Sequence, residues 1–377
     1  MIAAERAGAI LTIDLAAIAA NWRLLRDRLD GPECGAVVKA DAYGLGLEPV
    51  ARALFDAGCR SFFVAHTSEG AALRAILPDA AITVMHGIAA GEEEEFAALR
   101  LVPSLNTPDE IARWGSFARG RSGRSPLPAA LHVDSGMTRL ALDAAAIDAL
   151  ASDPRPLQGL DLRCVMSHLA IAEERANPMS ARQLAQFNRV RARLPKAPAS
   201  IANSSAIFLG PEYALDLARP GAALFGIAPM ANEPNPMAQV VELSGRILQV
   251  QEIDSPRTVG YGATHRAAAP SRLATVAVGY ADGYLRSLSN RGSAFLGGVR
   301  VPVVGRVSMD LITLDVTSAP RDLARPGRHV ELIGPHHSAD DLAREAGTIG
   351  YEILTSLGRR YHRVYLGGAA PAARPDA

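Results

Sequence analysis

Apolar positions along the chain follow two rhythms in succession. Leu15, Ile18, Trp22, Leu25 and Leu29 recur at helical spacing behind Asp14, a side chain suited to cap a helix N-terminus, and predict an opening helix. Short apolar runs then alternate with helical stretches. Strands are predicted over 35–40, 61–66, 81–87, 102–106, 129–135, 160–168, 199–204 and 217–226, with helices between them, for example over 46–57, 92–100, 142–151 and 180–193. Strand–helix alternation repeated eight times in about 200 residues is the size of a (β/α)8 TIM-type barrel. A doubly wound open sheet has the same alternation, but the first strand lacks a GxGxxG turn.

Near residue 235 the rhythm changes. After a loop rich in Asn and Pro, β-branched runs separated by Gly, Pro and Ser clusters take over, and helical periodicity stays weak until 338–357. We divide the chain into an α/β barrel over 1–235, whose first few residues are candidates to pair with the second domain, and a mostly β domain over 236–366. A small-residue tail over 367–377 is expected to be disordered.

Composition narrows the functional classes. The 377 residues carry 39 basic and 39 acidic side chains and no net charge, so nothing marks a nucleic-acid-binding surface. No apolar run reaches about 18 residues, which predicts no membrane span. The N-terminal stretch has Glu5 and Asp14 and no basic start, and reads as no signal peptide. Cys34, Cys59 and Cys164 are widely spaced without a CxxC pair, as in a reduced cytoplasmic protein. Only Lys39 and Lys196 are lysines; the other 37 of the 39 basic residues are arginines. Lysine chemistry therefore has two candidates.

In a barrel of this kind the chemistry sits at the C-terminal ends of the strands. Lys39 ends the first predicted strand. His66, His86, Asp134 and His168 end the second, third, fifth and sixth; Asn203-Ser204-Ser205 ends the seventh, and Arg219-Pro220-Gly221 lies in the eighth. A metal-dependent hydrolase could use the histidines and the aspartate. However, the chain has neither His-x-His on strand one nor an HExxH helix, and no metal is expected.

The other chemistry uses the lysine, whose primary amine can form an imine with a carbonyl or with pyridoxal 5'-phosphate. Taken alone, a rim lysine reads more plainly as one that snorkels to solvent. Three features oppose that reading. Lys39 follows Ala36-Val37-Val38, and desolvation lowers an amine's proton affinity. Arginine would have served for mere charge. Asn203-Ser204-Ser205 and Gly221-Ala222 follow strands seven and eight, where barrel phosphate sites are built. Lys196, between Pro195 and Pro198, reads as a surface lysine. Arg219 beside a pyridine nitrogen would leave that nitrogen unprotonated, where a carboxylate is usual; a rim salt bridge is its other reading.

These residues resemble the alanine racemases from Leu11-Thr-Ile-Asp14 to about residue 365. The most specific motif is Val38-Lys39-Ala-Asp-Ala-Tyr43-Gly44, similar to the family's pyridoxal-phosphate lysine signature. Asp134-Ser-Gly-Met-Thr-Arg139, Ser167-His168-Leu-Ala, Asn203-Ser-Ser and Arg219-Pro-Gly-Ala follow it. Gly260-Tyr-Gly-Ala-Thr264, Gly279-Tyr-Ala-Asp-Gly283, Gly305-Arg-Val-Ser-Met-Asp310 and Gly350-Tyr351-Glu352 complete the set. The resemblance implies a barrel with a β-rich second domain, in a head-to-tail homodimer whose partner completes each site. It implies an enzyme that interconverts L- and D-alanine and supplies D-alanine for peptidoglycan. Lys39 would hold pyridoxal phosphate as an aldimine, and Tyr43, Ser204, Gly221, Ala222 and Tyr351 would bind its phosphate, next to Asn203. Arg219 would face the ring nitrogen with His168 behind it. Arg139 and the partner's Met309 amide would hold the substrate carboxylate, with Asp310 beside them and Tyr280 along the entrance.

Racemisation through a planar carbanion needs a proton removed on one face and returned on the other. Lys39 would serve one face and Tyr261 of the partner subunit the other. A free tyrosine has a pKa of roughly 10, and a hydrogen-bonded chain from the tyrosine through His168 to Arg219 would lower it. The sequence departs from the family at several positions. Where a carbamylated lysine often braces the arginine stands His132, which cannot carry a carbamate, so an anion or a water is expected to brace Arg139. Ser308 stands where cysteine is common, Leu169 where phenylalanine is, and Glu173 where aspartate is usual. A second enzyme reading is a racemase of serine or other small amino acids, which the pocket for the substrate side chain decides. A non-catalytic pyridoxal-phosphate carrier would need neither a second domain nor Tyr261. A decarboxylase of basic amino acids would bring an acidic or cysteine-bearing pocket, and no such motif is found.

Overall fold

The computed structural model describes residues 6–121 and 125–368, so from residue 369 onward the expected tail lies outside the described residues. The opening helix, Leu15–Leu29, is capped by the Asp14 carboxylate, which accepts from the Ala17 amide at 2.9 Å. It buries Leu15, Ile18, Trp22, Leu25 and Leu29, and the Trp22 indole donates to the Cys34 carbonyl, anchoring the helix to the first barrel strand.

Seven parallel strands pair in sequence order: Ala36–Val37, Ser61–Val64, Ala81–Val84, Leu101–Leu105, Leu127–His132, Leu160–Met166 and Ala199–Ser200. The eighth, Leu217–Ala218, pairs in parallel with Glu33–Cys34, the start of the first strand. Gly35 and Val37 donate to the Ala218 and Pro220 carbonyls at 2.9 and 2.8 Å, and Asp216 and Arg219 donate to Ala199 and Ala202. These bonds close the ring, so the architecture is the (β/α)8 barrel read from the pattern.

All eight predicted strands end early, three of them at the cradle and the lysine. The first stops at Val37, the seventh at Ser200 and the eighth at Ala218. Pro220 has no amide to donate to a ladder, and the Gly221 and Ala223 amides turn to the Ser204 hydroxyl, so a 3-10 turn over Ala222–Phe225 replaces the strand. Early exit frees the residues beyond each strand to line the mouth.

The second sheet is built around the 13-residue strand Val241–Ile253, which pairs antiparallel with Ala9–Asp14, His329–Ile333 and Ser271–Val276. Ala9–Asp14 also runs parallel to His362–Leu366. Chain start and chain end therefore share this sheet, and the barrel begins only after the opening helix. One continuous apolar core runs from the barrel into this sheet. Among the described residues no helix is long and apolar enough to cross a membrane.

Candidate active site

Lys39 opens a tight turn where the first strand leaves the barrel. Ala40, Asp41, Ala42 and Tyr43 all have φ between 53 and 56°, a left-handed helical turn built without glycine. Each such residue costs about 1–2 kcal/mol relative to ordinary backbone, so the turn persists only because its surroundings hold it. The Asp41 carboxylate accepts from the Leu47 amide at 2.7 Å, and the Tyr365 hydroxyl donates to the Leu45 carbonyl at 2.9 Å. Gly44 ends the turn at φ 82°, and a side chain there would meet the Leu354 carbonyl at 2.5 Å. The turn is thereby seated against the helix Gly350–Ser356 of the second domain.

The Lys39 amine is partly buried. Burial lowers its proton affinity, the Arg139 charge lowers it further, and Glu69 opposes both. Lys196 is exposed and precedes the seventh strand, on the opposite side of the barrel from the mouth.

Strands seven and eight supply a cradle. The Ser204 hydroxyl accepts from the Gly221 amide at 3.0 Å and the Ala223 amide at 3.2 Å, which leaves its own proton to donate outward. The buried Ala222 amide has no hydrogen-bond partner among the described residues. A side chain at Gly221 would strike the Tyr43 hydroxyl, so this position must be glycine for Tyr43 to reach the cradle. The Tyr43 ring lies 4.8 Å from Phe225 and 6.2 Å from Tyr351, and burial raises its pKa, so it stays a neutral donor. Asn203 stands behind the cradle and accepts from the Ala206 amide at 2.9 Å. Donors converging on a concave spot suit an oxyanion such as phosphate.

Two fixed cations flank this cradle and the amine. Arg219 is buried, and among the described residues no carboxylate pairs with it. Its guanidinium donates to the Ser200 hydroxyl and, at 2.6 Å, to the Ser167 carbonyl. The Ser135 and Ser167 hydroxyls bond at 2.7 Å, tying this support to the fifth strand's loop. Among the described residues no hydrogen bond joins Arg219 to His168 or Tyr261, so a single chain does not form the expected relay. The serine hydroxyl and the carbonyl take the guanidinium instead. Burial, followed by the Arg219 and Arg139 charges, pushes His168 down to about 3, so its imidazole is neutral.

Arg139 is exposed at the end of a loop shaped by Asp134, whose carboxylate accepts from the Gly136, Met137 and Thr138 amides. His132 bonds through Nδ1 to the Asn106 side chain at 2.9 Å. Burial and the two arginines push it down to about 4. At the position of the family's modified lysine, then, stands a neutral imidazole anchored to a neighbouring amide side chain.

Three other second-domain residues face outward. Tyr261 is 70% exposed on a 3-10 turn, Tyr280 is 42% exposed and Met309 53%. Among the described residues no hydrogen bond engages the Tyr261 hydroxyl. Tyr280 and Ala281 donate to the Ser308 and Met309 carbonyls at 3.0 Å, which joins two loops into one surface. Arg360 bonds to Asp310 at 2.7 Å and to Asp282 at 3.1 Å across that surface. Pattern reasoning missed Ser200, Asn106 and Glu69, and gave Ser167 no role beyond its motif. Of these only Glu69 left a trace, as the acidic residue three places past a strand end and before an apolar helix.

A partly buried amine at a strand mouth, an oxyanion cradle after strands seven and eight and a buried guanidinium that meets no carboxylate among the described residues define a lysine-centred (β/α)8-barrel protein with an appended β domain. The profile of the alanine racemase N-terminal domain matches residues 13–229, and that of the C-terminal domain residues 240–365. The chain belongs to the alanine racemase family. It is 54% identical over 365 residues to the alanine racemase of Rhodospirillum rubrum, covering 96% of this chain and 97% of that one. It is 49% identical to the alanine racemase of Brucella abortus over 374 residues, 96% of this chain and 94% of the relative. The crystal structure of alanine racemase from Bartonella henselae with covalently bound pyridoxal phosphate matches with a TM-score of 0.92 at 41% identity, over 96% of this chain and all of that one. The family is pyridoxal-phosphate-dependent, and the Gly221–Tyr43 approach, the outward-donating Ser204 hydroxyl and the free Ala222 amide fit that cofactor's phosphate.

Proposed function

We propose that the protein interconverts L-alanine and D-alanine with pyridoxal phosphate held on Lys39, and that it does so as a homodimer with shared sites. The observation that supports this best is the setting of Lys39. It is an amine of lowered proton affinity on a rigid turn, between an oxyanion cradle and two arginines. The bound cofactor supplies an aldehyde for the substrate amine and an electron-withdrawing ring that acidifies the Cα–H bond.

The chain's own groups do the rest. Tyr43, Ser204, Tyr351 and the Gly221 and Ala222 amides bind the phosphate. Arg219, clamped from two sides, would face the ring nitrogen and keep it unprotonated. Electron withdrawal is then moderate, which favours simple proton exchange over side reactions. Lys39, once free, carries the proton on the D-alanine face. Tyr261 of the partner subunit carries it on the L-alanine face. Arg139 and the partner's Met309 amide hold the carboxylate, with Asp310 and Tyr280 at the entrance. Neutral His168 accepts from or donates to the tyrosine side of the site without adding a third cation. A cytoplasmic enzyme of this kind would supply D-alanine for peptidoglycan.

Borohydride treatment of the yellow holoenzyme should fix the cofactor on Lys39; a label on Lys196 overturns the assignment. Racemisation assays with alanine, serine and larger amino acids, with and without added pyridoxal phosphate, should show alanine turned over fastest. A serine preference moves the protein to the neighbouring activity.

A further inference from the structure

Glu69 sits in the first turn of the helix Thr67–Ile76, beyond the second barrel strand. One carboxylate oxygen accepts from the Ala65 and His66 amides at 2.8 and 3.1 Å and caps its own helix. The other crosses to the neighbouring strand and accepts from the Ala40 amide at 2.6 Å. Ala40 directly follows Lys39 and is the first residue of the left-handed turn. Helix capping requires only the first set of bonds, and the bond to Ala40 is additional.

Its place in the sheet shows what it replaces. Val37 pairs with Phe63, and Val38 donates to the Phe63 carbonyl at 2.9 Å. Had the strand run on, the Ala40 amide would have met the next carbonyl of the ladder, that of Ala65. That carbonyl instead accepts from His86 at 3.1 Å, and the Glu69 carboxylate takes the Ala40 amide. The chain can thus leave the sheet at Lys39 without an orphaned amide. A charged acceptor makes this bond stronger than the ladder bond it replaces.

We propose that Glu69 is a positioning residue that fixes the direction of the Lys39 side chain through the Ala40 peptide and so governs the Lys39 half of proton exchange. This rests on the racemase reading above. The nearby negative charge also opposes the loss of proton affinity that burial and Arg139 impose on Lys39.

Steady-state racemisation cannot separate the two halves, because both directions share one equilibrium constant. Deuterium wash-in at Cα can, measured on holoenzyme in D2O from D-alanine and from L-alanine separately. For Glu69→Gln, and for Glu69→Asp, which keeps the charge but shortens the reach, exchange from D-alanine should fall about tenfold to a hundredfold relative to exchange from L-alanine. Thr67→Ala disturbs the same helix start without touching Ala40 and should leave the ratio at its wild-type value. A readout independent of turnover is the rate at which protein stripped with hydroxylamine takes pyridoxal phosphate back onto Lys39, followed by absorbance. It should slow about tenfold in both Glu69 variants. An equal loss for both enantiomers, an unchanged ratio, or the same ratio change in Thr67→Ala would each overturn the role of Glu69. Absence of exchange in the wild type would overturn the racemase reading instead.

Discussion

Around Lys39 the polar groups are engaged by their own chain, whereas around Tyr261 they are presented outward. Arg219 is clamped by Ser200 and Ser167, His132 by Asn106, Asp134 by three amides, and the lysine turn by Asp41, Glu69 and Tyr365. In the second domain Tyr261, Tyr280, Met309 and Leu311 expose apolar surface on joined loops, and the Tyr261 hydroxyl has no bond in its own chain among the described residues. The barrel half of the site is preorganised within one chain. The second half, as proposed, lies on an exposed surface of the second domain. A head-to-tail partner is the reading in which each barrel mouth receives such a surface.

The sharpest way to break this contrast is at the amine itself. Lys39→Arg keeps the charge but cannot form the imine, and racemisation should fall by at least about a thousandfold. Lys196→Arg should match the wild type, and equal losses in the two variants would remove Lys39 from the centre.

Next comes the base proposed for the partner subunit. Tyr261→Phe should slow deuterium wash-in from L-alanine by about a hundredfold or more while sparing D-alanine. Mixing Lys39→Arg with Tyr261→Phe should then restore activity. A mixed dimer regains one intact site, and about a quarter of the wild-type rate is expected at equal amounts with free exchange of subunits. No recovery, under conditions where exchange of subunits is shown by mass, would place both bases in one chain.

A smaller effect tests the cradle. Gly221→Ala forces Tyr43 away from the loop and should weaken retention of pyridoxal phosphate about tenfold, with less change in turnover at saturating cofactor. An unchanged affinity would mean that the phosphate sits elsewhere.

The smallest concerns stability and pH. His132 and His168 are pushed from 6.5 down to about 4 and about 3, so on acidification the unfolded chain takes up protons that the folded chain refuses. Their neutral burial costs nothing above the unfolded value near 6.5, and stability is lost as pH falls from there toward the folded values. The melting temperature should drop across that window, and His132→Gln should flatten the drop. An equally steep drop in His132→Gln would assign it to other groups.

The barrel was legible because its rhythm is written in the apolar spacing, and the mouth because each strand ends in a polar residue. The change of rhythm near residue 235 is visible in the same way. What the sequence did not show depends on distant partners. Ala-Asp-Ala-Tyr after Lys39 has no local signal for a left-handed turn, since none of the four is glycine. Its conformation is held by Glu69, from the helix after the next strand, and by the second domain. Arg219 read as a cation near a ring, but its clamps come from Ser167 and Ser200, ordinary serines in sequence. The pairing of Ala9–Asp14 with His362–Leu366 joins opposite ends of the chain, which no window of sequence contains.

The left-handed turn also bears on how the protein is made. Tyr365, which donates to Leu45, lies 320 residues further along the chain, and the Leu354 carbonyl that walls in Gly44 comes almost as late. At about 5–20 residues per second, tens of seconds of synthesis separate Lys39 from the groups that complete its seat. Until they dock, a turn that costs several kcal/mol is held from the barrel side alone, by Glu69, Asp41 and Phe225 among others. If the cofactor is held on Lys39 as proposed, its stable retention would wait on the docking of the second domain, a check written into the backbone itself.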